Sequence, residues 1–302
     1  MKVFLYEHIT ATSNTNDPLY REGVAMRDAV REDFARIDGV ELIEGTFNDA
    51  VRFADATLLI APETDGVLEK LARNILKLGG KLLGSQPEAI RLAADKFALA
   101  QRWLEVGIPT PPTVLAYPGY SQFPAVVKPR DGAGSERMAL VLNAEEYERC
   151  RSGSPSGMIA QPFIPGIPAS IAFLVGTQRI LPLCPTRQIL GGEGGFHYLG
   201  GELPLSPALA ERAIRLGRAA LEAAGEGFLG YVGIDLILSD AGDFALEINP
   251  RFTTSYVGLR AATDTNLIEA MLRINVGNSI RAIPWYDGKV TWDSVFRAIR
   301  SP

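Results

Sequence analysis

The sequence predicts an α/β region followed by α+β regions, on three observations. Over the first ninety residues, short apolar runs alternate with stretches of helical periodicity. From Phe123 onward strand patterns dominate. Near the end, residues 231–250 read as a hairpin with one polar face. Strand–helix repetition implies a parallel sheet covered by helices, and strands in succession imply hairpins and meanders.

The elements follow in order. Residues 2–6 read as a buried strand. Met26, Val30, Phe34 and Ile37 mark one face of a helix, and residues 40–43, 57–61 and 81–84 are three more short strands. Between the last two lies a helix through Leu68, Leu71, Ile75 and Leu78, closed by Gly79 and Gly80. Ligands in such sheets bind beyond the carboxyl ends of strands, which singles out Glu7 and Glu63. A helix capped by Asp95 runs to Gly107, and the proline-rich stretch 109–118 reads as a crossover. Strands are expected at 125–129, 138–142, 158–163, 170–176 and 180–190, then the amphipathic helix Pro207–Ala224. The division expected is 1–93, 94–160 and 161–302.

Composition narrows the function. The 302 residues carry 30 Lys and Arg against 35 Asp and Glu, a formal charge of −5, with 47% hydrophobic residues. That excludes a disordered chain and argues against nucleic acid as partner, since no basic stripe is present. Small anions stay open, because a few local cations can bind a phosphate inside an acidic protein. Cys150 and Cys184 are too few for a disulfide framework and read as reduced thiols. The N-terminal apolar run is broken by Glu7 and His8, and no uninterrupted stretch approaches the ~18–20 residues of a membrane span. The expectation is a cytoplasmic protein with no membrane partner.

The hairpin is the most informative segment. Val232, Ile234, Leu236 and Leu238 alternate with Tyr231, Gly233, Asp235 and Ile237, and Glu247 and Asn249 share a face of the second strand. With Asp240, Ala241 and Gly242 as a three-residue loop, Ser239 faces Asp243, Ile237 faces Ala245 and Asp235 faces Glu247. Like charges at ~4 Å repel by about 4 kcal/mol at an effective dielectric of ~20. A proton on one carboxyl or a cation between the two relieves this. Two carboxylates and an amide oxygen suit Mg²⁺, and Arg251 follows directly. A solvated polar face fits the same pattern.

Residues 124–142 read as strand, glycine-containing loop, strand. Gly132, Ala133, Gly134 and Ser135 can turn consecutive N–H groups toward an anion, with Lys128 at the end of the incoming strand. The lysine precedes the glycines, so this is not a P-loop, and an ordinary hairpin loop fits the residues as well. Residues 191–201 are too glycine-rich to be regular and read as a mobile loop offering His197 and Tyr198 to substrate. No GxSxG elbow or Cys/His pair supports a side-chain nucleophile.

Taken in order, Asp95-Lys96, VVKP with the glycine loop (126–135), QPFIPG (161–166), GID (233–235) and LEINPR (246–251) resemble the ATP-grasp superfamily. The resemblance implies an N-terminal pre-ATP-grasp domain and two α+β subdomains clasping ATP. It implies that Lys96 and Lys128 bind phosphates and that residues 132–135 close over them. Gln161, Phe163 and Ile164 would line the adenine, and Asp235, Glu247 and Asn249 would hold Mg²⁺ or Mn²⁺. Arg251, with Lys128, would act at the reacting phosphoryl group, and Arg260 would help. Two departures stand out: Pro168 where many relatives carry a ribose-binding acid, and Gly233 where the peptide-ligase branch often carries Arg.

A finer likeness rests on YEHIT (6–10), Glu22, Gly23 and Met26, LIAPETDG (59–66), TRQI (186–189, with Arg187) and NPRFTTSYVGLR (249–260). It is to the branch joining tyramine to glutamate in methanofuran synthesis. The likeness implies an ATP-dependent carboxylate–amine ligase acting on small molecules, as a monomer or homodimer. A kinase of the same fold and a non-catalytic ATP-binding module are the rival readings.

Overall fold

The computed structural model describes every residue except 14, 18, 133–136, 152–156, 193–195, 279, 281, 294 and 302. Three sheets form the scaffold. The first is parallel, with β1 (Lys2–Glu7) between β2 (Glu41–Leu42) and β3 (Ala56–Ile60). Helices α1 (His8–Thr12), α2 (Tyr20–Phe34), α3 (Phe47–Phe53) and α4 (Val67–Lys77) accompany it. All five residues of β3 are buried, as a parallel strand covered on both faces should be. Residues 81–84 form no strand. Thr57 brackets Leu82 with one hydrogen bond to Lys81 and one from Leu83, a single bridge at the sheet edge.

Helices α5 (Pro87–Ala94) and α6 (Lys96–Glu105) lead out of this region, and Asp95 caps α6 by accepting from the Ala98 N–H. The second sheet is small and antiparallel, ordered β4 (Val114–Leu115), β7 (Met158–Pro162), β5 (Ala125–Pro129), β6 (Ala139–Val141). Helix α7 (Ala144–Cys150) buries Tyr147 against it, stacked on Tyr120.

The third sheet has eight strands. The long β8 (Ile167–Val175) carries β9 (Ile180–Pro182) and β10 (Thr186–Gly191), and β11 (His197–Leu203) lies beside β10. The 18-residue helix α8 (Pro207–Ala224) covers one face. Strands β12 (Gly230–Leu238) and β13 (Phe244–Asn249) form one edge of the sheet. Helices α9 (Ser255–Ala261) and α10 (Leu267–Asn275) and strands β14 (Lys289–Asp293) and β15 (Ala298–Ser301) complete it. The expected single strand over 180–190 is thus two, parted at Leu183–Pro185.

The expected loop at 191–201 is corrected too: from His197 the chain is strand β11. Its glycines are there for packing. A side chain on Gly201 would come within 2.3 Å of the Trp292 ring, and one on Gly200 would meet the Trp292 carbonyl. The main core cluster joins the first sheet to the third, running from Val3, Val30 and Leu58 to Leu267, Met271 and Trp292. The N-terminal region is therefore packed directly against the third sheet.

Candidate active site

The hairpin of β12 and β13 is the foundation of the site. Asp235 lies opposite Glu247, Gly233 opposite Asn249 and Ile234 opposite Ile248. Nearer the turn the pairing changes: Leu236 faces Ala245 and Ile237 faces Phe244, so Leu246 is an extra, bulged residue. The loop is one residue longer than expected, with Gly242 bonded back to Ser239, and the bulge restores the register before the acids are reached. Bulging also turns Leu246 and Glu247 toward one cleft.

The carboxylates are in electrostatic conflict. Burial, and then the facing Glu247 charge, push the Asp235 carboxyl up to about 7. Burial also pushes Glu247 upward, but Lys96 and Lys128 outweigh it and hold Glu247 below the ordinary range. Gln188 donates to Asp235 Oδ1 at 2.9 Å and the Asn249 amide to Oδ2 at 3.2 Å. The donor set suits a hard dication. A cation between the carboxylates would remove their repulsion, and a turn of the Asn249 amide would offer its oxygen. Among the described residues no three His, Cys, Asp or Glu side chains gather as a metal cage, so the acid pair with an amide is the set available.

The cations come from the small sheet and from α6. Lys96 sits 3.5 Å from Glu247 and donates to the Gly132 carbonyl at 2.8 Å. Arg130 holds Asp95, and its carbonyl accepts from the Lys96 N–H, which ties the start of α6 to the end of β5. Lys128 is 4% exposed, and burial pushes its ammonium below the usual value against the pull of Glu247. A desolvated ammonium of this kind gains strongly from an arriving anion.

Above these groups lies a cleft between the small sheet and the hairpin. Lys128, Gln161, Phe163, Ile164 and Pro168 line it, with Met138 and Leu246 as further apolar wall. Gln161 donates from its side-chain amide to the Thr113 hydroxyl at 2.7 Å. Gly132 is described, whereas Ala133, Gly134 and Ser135 lie outside the described residues.

A second cleft continues from Asp235, Glu247 and Asn249 to Arg251. Arg251 is nearly buried and binds Glu63 at 2.9 Å and 3.1 Å, so the first sheet delivers a carboxylate to the end of the hairpin. A Cβ on Gly233 would sit 3.0 Å from the Thr253 methyl, a tight contact that Thr253 would have to relieve. The cation of this region is Arg251, at the strand's end. Tyr198 lines both clefts. Burial pushes its phenol up to about 12, and its oxygen accepts from the Trp292 indole at 2.7 Å.

The remaining expected residues fall elsewhere. Glu7 is buried at the start of α1, where its two oxygens accept from the Ile9 and Thr10 N–H groups. Arg187 lies on the opposite face of β10 from Thr186 and Gln188, exposed and paired with Glu202. His197 is exposed at the start of β11. Arg260 is turned away from the clefts: it grips the fully buried Asp33 at 2.7 Å and Glu32 at 2.9 Å, locking α9 to α2. Its nearness in sequence to Arg251 misleads, because α9 carries it to the far side. Sequence reasoning assigned no role to Gln188 or Glu22, although both lie within segments that carry the finer likeness.

The chain was compared with known proteins. The family model described as the ATP-grasp domain matches residues 93–255, and that of the pre ATP-grasp 3 domain matches residues 24–90. The tyramine–L-glutamate ligase of Methanocaldococcus fervens is 30% identical over 249 residues, 80% of this chain and 76% of that protein. An ATP-grasp superfamily protein from Archaeoglobus fulgidus superposes with a TM-score of 0.77 at 24% identity, over 97% of this chain and 92% of that one. The L-amino acid ligase of Bacillus licheniformis does so at 0.70 and 16% identity, over 96% and 78%. At these identities the two structures establish the fold.

Proposed function

Because the chain belongs to the ATP-grasp family, we propose that it is an ADP-forming carboxylate–amine ligase that joins glutamate to tyramine or tyrosine in methanofuran-type cofactor synthesis. The observation that carries this reading is the meeting of opposed carboxylates, buried Lys128 and Arg251 along adjoining clefts, with Lys96 3.5 Å from Glu247. The substrate pair is taken from the named relative, and the site chemistry accommodates it.

The roles follow from position. The apolar cleft would receive the adenine, against Phe163, Ile164, Met138 and Leu246. Lys96 and Lys128 would take the phosphates, Lys128 gaining most because its charge is desolvated. Asp235, Glu247 and the Asn249 amide would hold Mg²⁺ or Mn²⁺. Held there, the cation would supply charge neutralisation to the phosphates. A carboxylate oxygen of glutamate would attack the γ-phosphorus while ADP leaves, giving the acyl phosphate. Arg251, oriented by Glu63, lies at the far end of the acid face, where it would stabilise the transferred phosphoryl group and the tetrahedral oxyanion formed when the amine attacks the acyl phosphate. Phosphate then leaves and the amide remains. No side-chain nucleophile is needed.

The test is incubation with MgATP, glutamate and pools of amines and amino acids, followed by ADP release and mass spectrometry. An amide with ADP supports the ligase. A stable phosphorylated product identifies a kinase, and ATP binding without turnover on any pool identifies a binding module.

A further inference from the structure

We propose that Gln188 sets the metal selectivity of the acid pair: by holding Asp235 Oδ1 it leaves that carboxylate one oxygen for a cation, so the site takes Mg²⁺ or Mn²⁺ and discriminates against Ca²⁺. The proposal rests on the metal assignment within the ligase reading and deepens it, from which residues hold the cation to which cation they accept.

Gln188 reaches Asp235 from two strands away. Ser170 of β8 pairs with Thr186 of β10 on one side and with Asp235 of β12 on the other. Gln188 lies two residues beyond Thr186, on the same face of β10. Ser170 is small enough to leave the longer amide a path, and its hydroxyl also reaches the carboxylate. The Gln188 amide donates to Oδ1 at 2.9 Å. Gln188 lines both clefts together with Asp235, Glu247 and Tyr198, so the bond stands at the boundary that a transferred phosphoryl group would cross. Residue type matters here. A lysine would neutralise the acids itself, and a glutamate would add a third carboxylate. A neutral amide fills an oxygen of Asp235 without changing the charge that a dication must balance.

The two oxygens of Asp235 differ in what holds them. Oδ2 accepts from the Asn249 amide at 3.2 Å, and that bond is given up when Asn249 turns to offer its own oxygen. The Gln188 bond meets no such conflict, so Oδ1 stays occupied while Oδ2 becomes free. Glu247 is treated alike, with Lys96 standing 3.5 Å from its Oε2. The chain thus offers one unengaged oxygen from each acid and one from the amide. Mg²⁺ takes about six oxygens and keeps water or phosphate among them, whereas Ca²⁺ takes roughly six to eight and is often chelated through both oxygens of a carboxylate. A set of one oxygen per acid matches the smaller ion.

The experiment places the whole chain in excess over ADP, loads it with Mn²⁺, and follows displacement of bound Mn²⁺ by Mg²⁺ or Ca²⁺ through electron paramagnetic resonance. Mg²⁺ is expected to displace Mn²⁺ at concentrations at least about tenfold lower than Ca²⁺. Gln188→Met keeps the length and removes the donor. It should weaken Mg²⁺ by about tenfold, leave Ca²⁺ level or stronger, and bring the two ions within about twofold. Gln188→Glu should reverse the order in favour of Ca²⁺. A merely structural role would weaken both ions together. Parallel weakening, an unchanged ratio in the variants, or a wild type that binds Ca²⁺ as tightly as Mg²⁺ overturns the proposal alone, and the wild-type comparison stands should a variant fail to fold. Mn²⁺ held no more firmly with the chain present than by ADP alone removes the cation from the acid pair, and sinks the metal assignment of the ligase reading with it.

Discussion

Two buried ionic clusters use similar residues to opposite ends. Around Asp33, which is fully buried, every charge has its partner: Arg260 and Arg36 pair with the carboxylate, and Tyr256 donates to it at 2.5 Å. Asn266 adds a bond to the Asp33 carbonyl, so α2, α9 and α10 are locked together. Around Asp235 the pairing is incomplete. A carboxylate faces a carboxylate, and one lysine is desolvated with only longer-range compensation. The satisfied cluster holds the N-terminal region against the third sheet. The conflicted one stores the free energy that phosphates and a cation would release on binding. Arg260 shows why an inventory of residue types cannot tell the two apart.

The sharpest way to test the contrast is to mutate one acid of each cluster. Asp235→Asn should lower turnover by about a thousandfold, roughly 4 kcal/mol of transition-state stabilisation, while the thermal midpoint stays level or rises. Near-normal ADP release would remove Asp235 from the site. Asp33→Ala should do the reverse. Losing the fully buried Asp33 carboxylate, which Arg260, Arg36 and Tyr256 share, should cost about 3 kcal/mol in denaturant unfolding, with activity per folded molecule little changed. Lys128→Met comes next. Losing a charged hydrogen bond to phosphate should raise KM for ATP by an amount worth about 2 kcal/mol, and an unchanged KM would place the phosphates elsewhere.

The smallest effect is on pH. Asp235 is raised in the folded chain, so its contribution to stability is present below its unfolded value near 3.8 and is lost as pH climbs through about 7. Glu247 runs the other way, contributing above the ordinary carboxylate value and losing that contribution as pH falls. Between about pH 4 and 7, without divalent cation, the melting temperature should drift down, and Mg²⁺ should restore it more at pH 7 than at pH 5. A flat profile, or equal rescue at both pH values, would contradict the acid-pair account.

Much of this was legible in the sequence for a physical reason. Alternation on β12 and β13 is a local property, and helix α8 shows its full apolar face within one segment. What escaped was set by distant partners. Glycines in β11 read as a flexible loop because their cause, the Trp292 ring, lies some ninety residues on. Arg260 read as a helper because its acid lies on α2. Glu22 escaped because a helix-borne acid is usually solvated, and only the approach of Arg251 gives it another setting. Leu82 has the apolar neighbours of a strand but finds only one bridge.

The bulge at Leu246 has a further consequence, for how such a hairpin tolerates insertion and deletion over evolutionary time. The eleven residues 236–246 hold the loop and one bulge, and ten would hold a two-residue loop and an unbroken ladder with the same two acids face to face. Length can therefore drift at the tip while the acid pair keeps its register, because the ladder absorbs the difference. What changes is the neighbour: without the bulge, Leu246 rotates off the apolar wall of the cleft. Deleting Ala241 should thus spare metal-dependent stabilisation and weaken ATP binding, a pair of readings separable by titrating each in turn. The hairpin insulates its charge from its own turn, and leaves hydrophobic contour free to vary.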